Sequence, residues 1–248
     1  MPDNLIFLDT ETTGNDPAKD RLCQLCFKTS AGVKVGFFKP PVPISVKAMS
    51  ITHITNKMVE NAEAFSKSEM KKELETLLKE NILVAHQALF DIAMLKHEGI
   101  RVEKFICTLR LARHFDSENK IPEYNLQFLR YFLDLDVPGE PHNAEGDVAV
   151  LEALFKRLYA KMLDFTSQPP LLALGEGEEG GEVIQKMIEI SSRPTLFKNL
   201  IFGKYKGRSI AEVAETDRRY LEWLLNQKLT NEAETDEDWI FTLKHYLG

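Results

Sequence analysis

With 248 residues and 44% apolar content, the chain can bury a globular core and has room for a second, smaller unit. Its 38 acids against 31 Lys and Arg give a net charge of −7, which excludes a general electrostatic affinity for phosphate backbones; any contact with nucleic acid must come from a local basic patch or bound metal. Three cysteines suit a reducing compartment better than a disulfide framework, no targeting segment is visible, and no apolar run approaches the roughly eighteen residues that cross a bilayer, so a cytoplasmic protein without membrane contact is expected.

Leu5 to Leu8 is an apolar run ending at Asp9. Leu22–Phe27 and Val33–Phe38 are short β-prone stretches parted by Ser30, Ala31 and Gly32, and the three read as strands joined by tight turns. Met70, Leu74, Leu77 and Leu78 recur at helical spacing in KSEMKKELETLLKE, an amphipathic helix capped near Ser66 or Ser68. ILVAH follows as a buried strand, and ALFDIAMLKHEG returns to helical period and stops at Gly99. A short FICT strand, helices around Leu109–Phe115 and Asn125–Phe132, and a long helix from Ala144 to near Leu163 complete a first unit, residues 1–166.

Residues 167–194 are expected as a Gly/Glu-rich linker, because SQPPLLALGEGEEGG buries too little apolar surface to hold a shape alone. Residues 195–248 form a small C-terminal domain. There FKNLIFGKYKGRS reads as a hairpin punctuated by Gly203 and Gly207, followed by one helix over Ala211–Gln227 and another over Asp236–Leu247, with Trp223 and Trp239 in a small core. The expected class is α/β: a mixed sheet flanked by helices, with a small C-terminal α+β domain.

The chemistry starts in FLDTETTG. On a strand, residues two apart share a face, so Asp9 and Glu11 present two carboxylates side by side. Taken alone, such a pair also fits a solvated strand end. Asp91 begins a helix directly after the ILVAH strand and Asp147 lies near the start of the long helix, and helix starts beside strand ends gather at one edge of an α/β sheet. Four hard oxygen ligands select Mg²⁺ or Mn²⁺, and four converging acids would hold two ions, as in two-metal nucleases and phosphatases. His142, in the loop-like PHNAEGD, is placed to take a proton from attacking water. CQLC has zinc-like spacing without a second pair, and its cysteines point to opposite faces of a strand.

FLDTETTG, AHQALFD and HNAEGD resemble, in order and spacing, the three motifs of the DEDDh 3′–5′ exonucleases, a superfamily with an RNase H-like fold. AMSITHITNKMV resembles the family segment between the third strand and the following helix, while ICTLRLARHF and above all the tail, IFGKYKGRSIAEVAETDRRYLEWLL with TLKHYL, are similar to the exodeoxyribonuclease X branch. The resemblance covers most of the chain outside the Gly/Glu-rich segment. It departs at Gln87, where the family usually has Asn.

The resemblance implies that Asp9, Glu11, Asp91 and Asp147 ligate two Mg²⁺ or Mn²⁺ ions, with His142 as general base. It also implies that the backbone near Thr12 and the Phe90 ring seat the terminal nucleotide, and that 5′-mononucleotides leave a DNA 3′ end in repair or processing. Lys198, Lys204, Lys206 and Arg208 form an acid-free basic segment with Phe202 and Tyr205, expected either to guide single-stranded ends or simply to solvate the hairpin. The competing readings are a 3′–5′ exoribonuclease resembling RNase T and a non-catalytic module that binds a protein partner through the tail.

Overall fold

Alternation of apolar side chains builds a five-stranded sheet in the computed structural model, which describes residues 2–116, 120–137, 144–166, 176–230 and 236–248. At its centre β1 (Leu5–Thr12) pairs antiparallel with β2 (Leu22–Thr29) and parallel with β4 (Ile82–Ala85). β3 (Gly32–Phe37) extends one edge antiparallel and β5 (Phe105–Cys107) the other in parallel, giving the mixed order β3-β2-β1-β4-β5.

Period two along β1 decides which side chain faces which layer. Leu5 and Phe7 join Cys26, Ile82, Val84 and Ile106 on one face, covered by α5 (Thr108–Phe115), α6 (Leu126–Phe132), α7 (Ala144–Thr166) and α8 (Glu176–Ser191). Ile6 and Leu8 face the other way with Leu25, Phe27 and Leu83, beneath Leu74 of α3 (Glu69–Leu77) and Leu95 of α4 (Ala88–His97). Cys23 and Cys26, both free and buried, fall into separate clusters on the two sides.

Two short helices absent from the sequence reading, α1 (Val46–Thr52) and α2 (Asn56–Val59), occupy AMSITHITNKMV. Their starts are set by side-chain caps: Ser45 accepts from the Ala48 amide and Thr55 from the Met58 amide.

The linker expected over residues 167–194 is corrected by α8. From Glu176 the chain is helical, and Val183, Ile184 and Met187 are buried in the main core. These three recur at helical spacing, but Gly and Glu around the first turns masked the stripe. Residues 167–175 lie outside the described residues.

In the tail, the expected hairpin is a tight loop with one antiparallel bridge, Asn199 to Ser209, turned through left-handed Gly203 and Gly207. The single helix expected over Ala211–Gln227 is two, α9 (Ile210–Thr216) and α10 (Arg218–Thr230). The chain breaks at Asp217 because its carboxylate turns back to accept from Lys204 at 2.9 Å and from the Tyr205 hydroxyl at 2.8 Å. With α11 (Glu237–Leu247) these elements enclose Phe197, Leu200, Ile210, Val213, Leu221 and Trp239. Trp239 stacks on Phe197 at 4.4 Å, whereas Trp223 is 54% exposed, outside the core expected for both.

Ion pairs join tail and nuclease-like unit. Arg110 and Arg113 of α5 meet Asp238, with Arg110 Nε 3.1 Å from Oδ1 of an almost wholly buried carboxylate. Arg113 also pairs with Asp236 at 3.1 Å, and Arg110 donates to the Ser191 carbonyl of α8 at 2.8 Å. Among the described residues, no helix is long and apolar enough to cross a membrane.

Candidate metal centre

Asp9 and Glu11 continue the Leu5–Phe7 side of β1, so they face α7, whose first turn carries Asp147. β1 pairs with β4 only as far as Phe7–Val84, and beyond that point its acids border the crevice at the carboxyl ends of the parallel strands. Asp9, Glu11 and Asp147 each offer an oxygen, and these oxygens lie within 4.8 Å of one another. Asp91, buried in the first turn of α4, stands beside them, close enough that its charge acts on both Asp9 and Glu11.

Two supporting side chains have no counterpart in the sequence reading. Thr10, directed to the opposite face from its neighbours, donates its hydroxyl to Asp91 Oδ1 at 2.7 Å. Gln127 of α6 donates its amide Nε2 to Asp147 Oδ1. Thr10 was open to notice, as the even-numbered residue between two odd-numbered acids; nothing in the sequence links Gln127 to Asp147.

The electrostatics are those of buried acids acting on one another. Burial, then the charges of Asp91, Glu11 and Asp147, hold the Asp9 carboxyl well above its ordinary range. Glu11 is pushed up to about 8 by burial and then by Asp147 and Asp91. Burial raises Asp91 to about 7 against the lowering effect of the Thr10 hydroxyl. No lysine or arginine contributes to these three shifts. Hard carboxylate oxygens gathered in this way fit a hard divalent cation.

A pH dependence follows for the metal-free protein. Between about 4.5 and about 8 the folded state retains a proton on Glu11 that the unfolded chain has released, and Asp91 behaves likewise up to about 7. Stability therefore falls as pH rises through that window. Thermal melting in EDTA at pH 5, 6, 7 and 8 should show a falling midpoint, and added Mn²⁺ should restore most at pH 8. A midpoint that rises with pH would contradict these shifts.

The loop after β1 is held in place by Asp20, whose carboxylate accepts from the Thr13 hydroxyl at 2.7 Å and the Asp16 amide at 2.8 Å. A Cβ at Gly14 would lie 2.7 Å from the Asp20 carboxyl carbon, which is why FLDTETTG ends in glycine. Thr12 is buried, its hydroxyl donating to the Gly14 carbonyl at 2.6 Å. Gln87, at the start of α4, has φ 60° and makes no side-chain cap. That left-handed geometry suits Asn better than Gln, so Gln87 carries a backbone cost. Phe90, half-buried one residue before Asp91, lines a cavity of about 470 Å³ with Gln87, Asn15, Arg110 and Glu237.

His142 lies outside the described residues. The basic tail segment differs from its reading: acid-free in sequence, it is not acid-free in space. Lys204 pairs with Asp217 and Arg208 with Glu212, while Lys206 is exposed. Phe202 and Tyr205 pack partly into the tail core. His86, in the second motif, bridges elements: Nδ1 is 2.9 Å from the Thr108 hydroxyl and Nε2 2.7 Å from the Tyr124 carbonyl, and burial lowers it to about 4, so it is a neutral strut at neutral pH.

An exonuclease family model matches residues 6–155, and a model described as exodeoxyribonuclease X-like C-terminal matches residues 200–228. Exodeoxyribonuclease 10 of Escherichia coli (strain K12) is 30% identical over 210 residues, 84% of this chain and 82% of that protein. A PolC-type DNA polymerase III of Thermotoga maritima is 34% identical over 168 residues, 63% of this chain and 12% of the polymerase. Among solved structures, exonuclease X in complex with 5′ overhanging duplex DNA has the same fold at a TM-score of 0.55 and 22% identity, covering 75% of this chain and 99% of that one. E. coli exonuclease I with a dT13 oligonucleotide gives 0.54 at 17% identity, over 65% of this chain and 42% of the other.

Proposed function

The chain belongs to the exonuclease family, and on that premise we propose that it is a 3′–5′ exodeoxyribonuclease releasing 5′-mononucleotides from DNA 3′ ends, single-stranded ends foremost, in repair or processing. The observation that carries this is the convergence of Asp9, Glu11 and Asp147, with Asp91 beside them, into one acidic cluster.

In this reading Asp9, Glu11, Asp91 and Asp147 hold two Mg²⁺ or Mn²⁺ ions. When bound, the ions make water a nucleophile at neutral pH and offset charge on the transferring phosphoryl group. Thr10 and Gln127 aim the carboxylates of Asp91 and Asp147, as outer partners of metal ligands do. His142 takes the proton from the attacking water. The backbone at Thr12 and the Phe90 ring seat the terminal nucleotide. Lys198 and Lys206, both exposed, are better placed to meet backbone phosphate than Lys204 and Arg208, which must first leave Asp217 and Glu212. The three free, buried thiols suit a reducing compartment, and the cytoplasm is the proposed location.

The test is digestion of matched 5′-labelled DNA and RNA oligomers with Mg²⁺ or Mn²⁺ and with EDTA. The expected result is stepwise shortening of DNA, abolished by EDTA, and a His142→Ala variant slowed by about 10²- to 10⁴-fold. Strong preference for RNA would make the protein an exoribonuclease. No release from either strand, with a protein partner retained by the tail, would make it a binding module.

A further inference from the structure

Tyr131 lies four residues after Gln127 on α6, on the same side of that helix, and is 71% exposed. The Arg130 guanidinium stands 5.5 Å from the centre of its ring and also approaches the Gln127 side-chain oxygen at 3.5 Å. An aromatic plane, a cation and the amide that holds Asp147 thus form one continuous patch. Phe128 and Phe132, stacked with centroids 5.7 Å apart, stand on the adjoining face of the helix, about 100° round from Gln127 and Tyr131, and Phe132 is 49% exposed. Single exposed aromatic rings are ordinary, but here two, Tyr131 and Phe132, adjoin the half-buried Phe128 on a short helix whose first turn touches the acid cluster.

We infer that Tyr131 is a stacking platform for a nucleobase of the strand whose 3′ end lies at the acids, an inference that rests on the exonuclease reading above. Side chains four apart on a helix stand about 5–6 Å from each other, so Tyr131 is within one nucleotide's reach of the group that positions Asp147. Every base offers a π-face, and a tyrosine ring flanked by an arginine receives it without choosing its sequence. A backbone phosphate would be served by the cation alone, and the aromatic surface favours the base.

The experiment compares KM for single-stranded DNA among Tyr131 variants and follows fluorescence of 2-aminopurine placed near the 3′ end, which is quenched on stacking. Tyr131→Ala should raise KM by about tenfold and lose the quench, Tyr131→Phe should keep both, and Tyr131→Trp should lower KM. Because the side chain is exposed, none of these changes threatens the fold. If Tyr131→Ala keeps wild-type KM and quench while the wild-type protein digests the strand, the platform is refuted alone. If the wild-type protein digests no DNA strand, the exonuclease reading falls and the platform with it.

Discussion

Replacing Asp9 by asparagine is expected to slow nucleotide release by about 10³-fold or more and, in EDTA, to make the protein harder to melt. The loss follows from its place in the cluster: outer partners of metal ligands are worth 10- to 100-fold, and a carboxylate in the ligand set itself is worth more. The gain follows from the electrostatics. Asp9 is held far above its ordinary range by burial and by Asp91, Glu11 and Asp147, so its ionised form burdens the metal-free fold. Asparagine keeps the shape and removes the charge. Initial rates on a labelled oligomer and calorimetric melting in EDTA and in Mn²⁺ check both halves. An Asp9→Asn protein that melts lower in EDTA would mean that the carboxylate is stabilised by contacts other than metal.

The second large effect concerns the junction between tail and nuclease unit. Asp238→Ala should cost about 3–5 kcal/mol, because it strips a common counter-ion from two buried guanidiniums. Asp238 also accepts from the Thr195 amide at 3.0 Å, which would be left without its partner. At the size of this chain such a loss lowers the melting midpoint by roughly 10 °C. Glu237→Ala is the control: its side chain is 57% exposed, and its pair with Arg110 should be worth about 1 kcal/mol or less. Equal, small effects from both changes would show that the junction is as loosely held as a surface ion pair.

Much of the centre was legible because the periods that build it are short. Period two placed Asp9 and Glu11 together, and the rule that helix starts meet strand ends placed Asp91 and Asp147 near them. Contacts between distant segments were not legible. Thr10 reaches Asp91 across 81 residues and Gln127 reaches Asp147 across 20, with no local pattern to announce either. The tail segment has no acid of its own, yet Glu212 meets Arg208 from four residues on and Asp217 meets Lys204 from thirteen residues on. α8 was hidden by composition, its apolar stripe diluted by glycine and glutamate, and the α9–α10 break depended on a carboxylate turning back upon an earlier loop.

Because β1 sits mid-sheet but precedes α4 and α7 in the chain, order of synthesis matters. The β1–β2 hairpin emerges from the ribosome carrying Asp9 and Glu11 already side by side. Their companions arrive only with α4 and, much later, with α7. Up to Asp91 the growing chain therefore carries two of the four acids, and the set is complete only once residue 147 has been added.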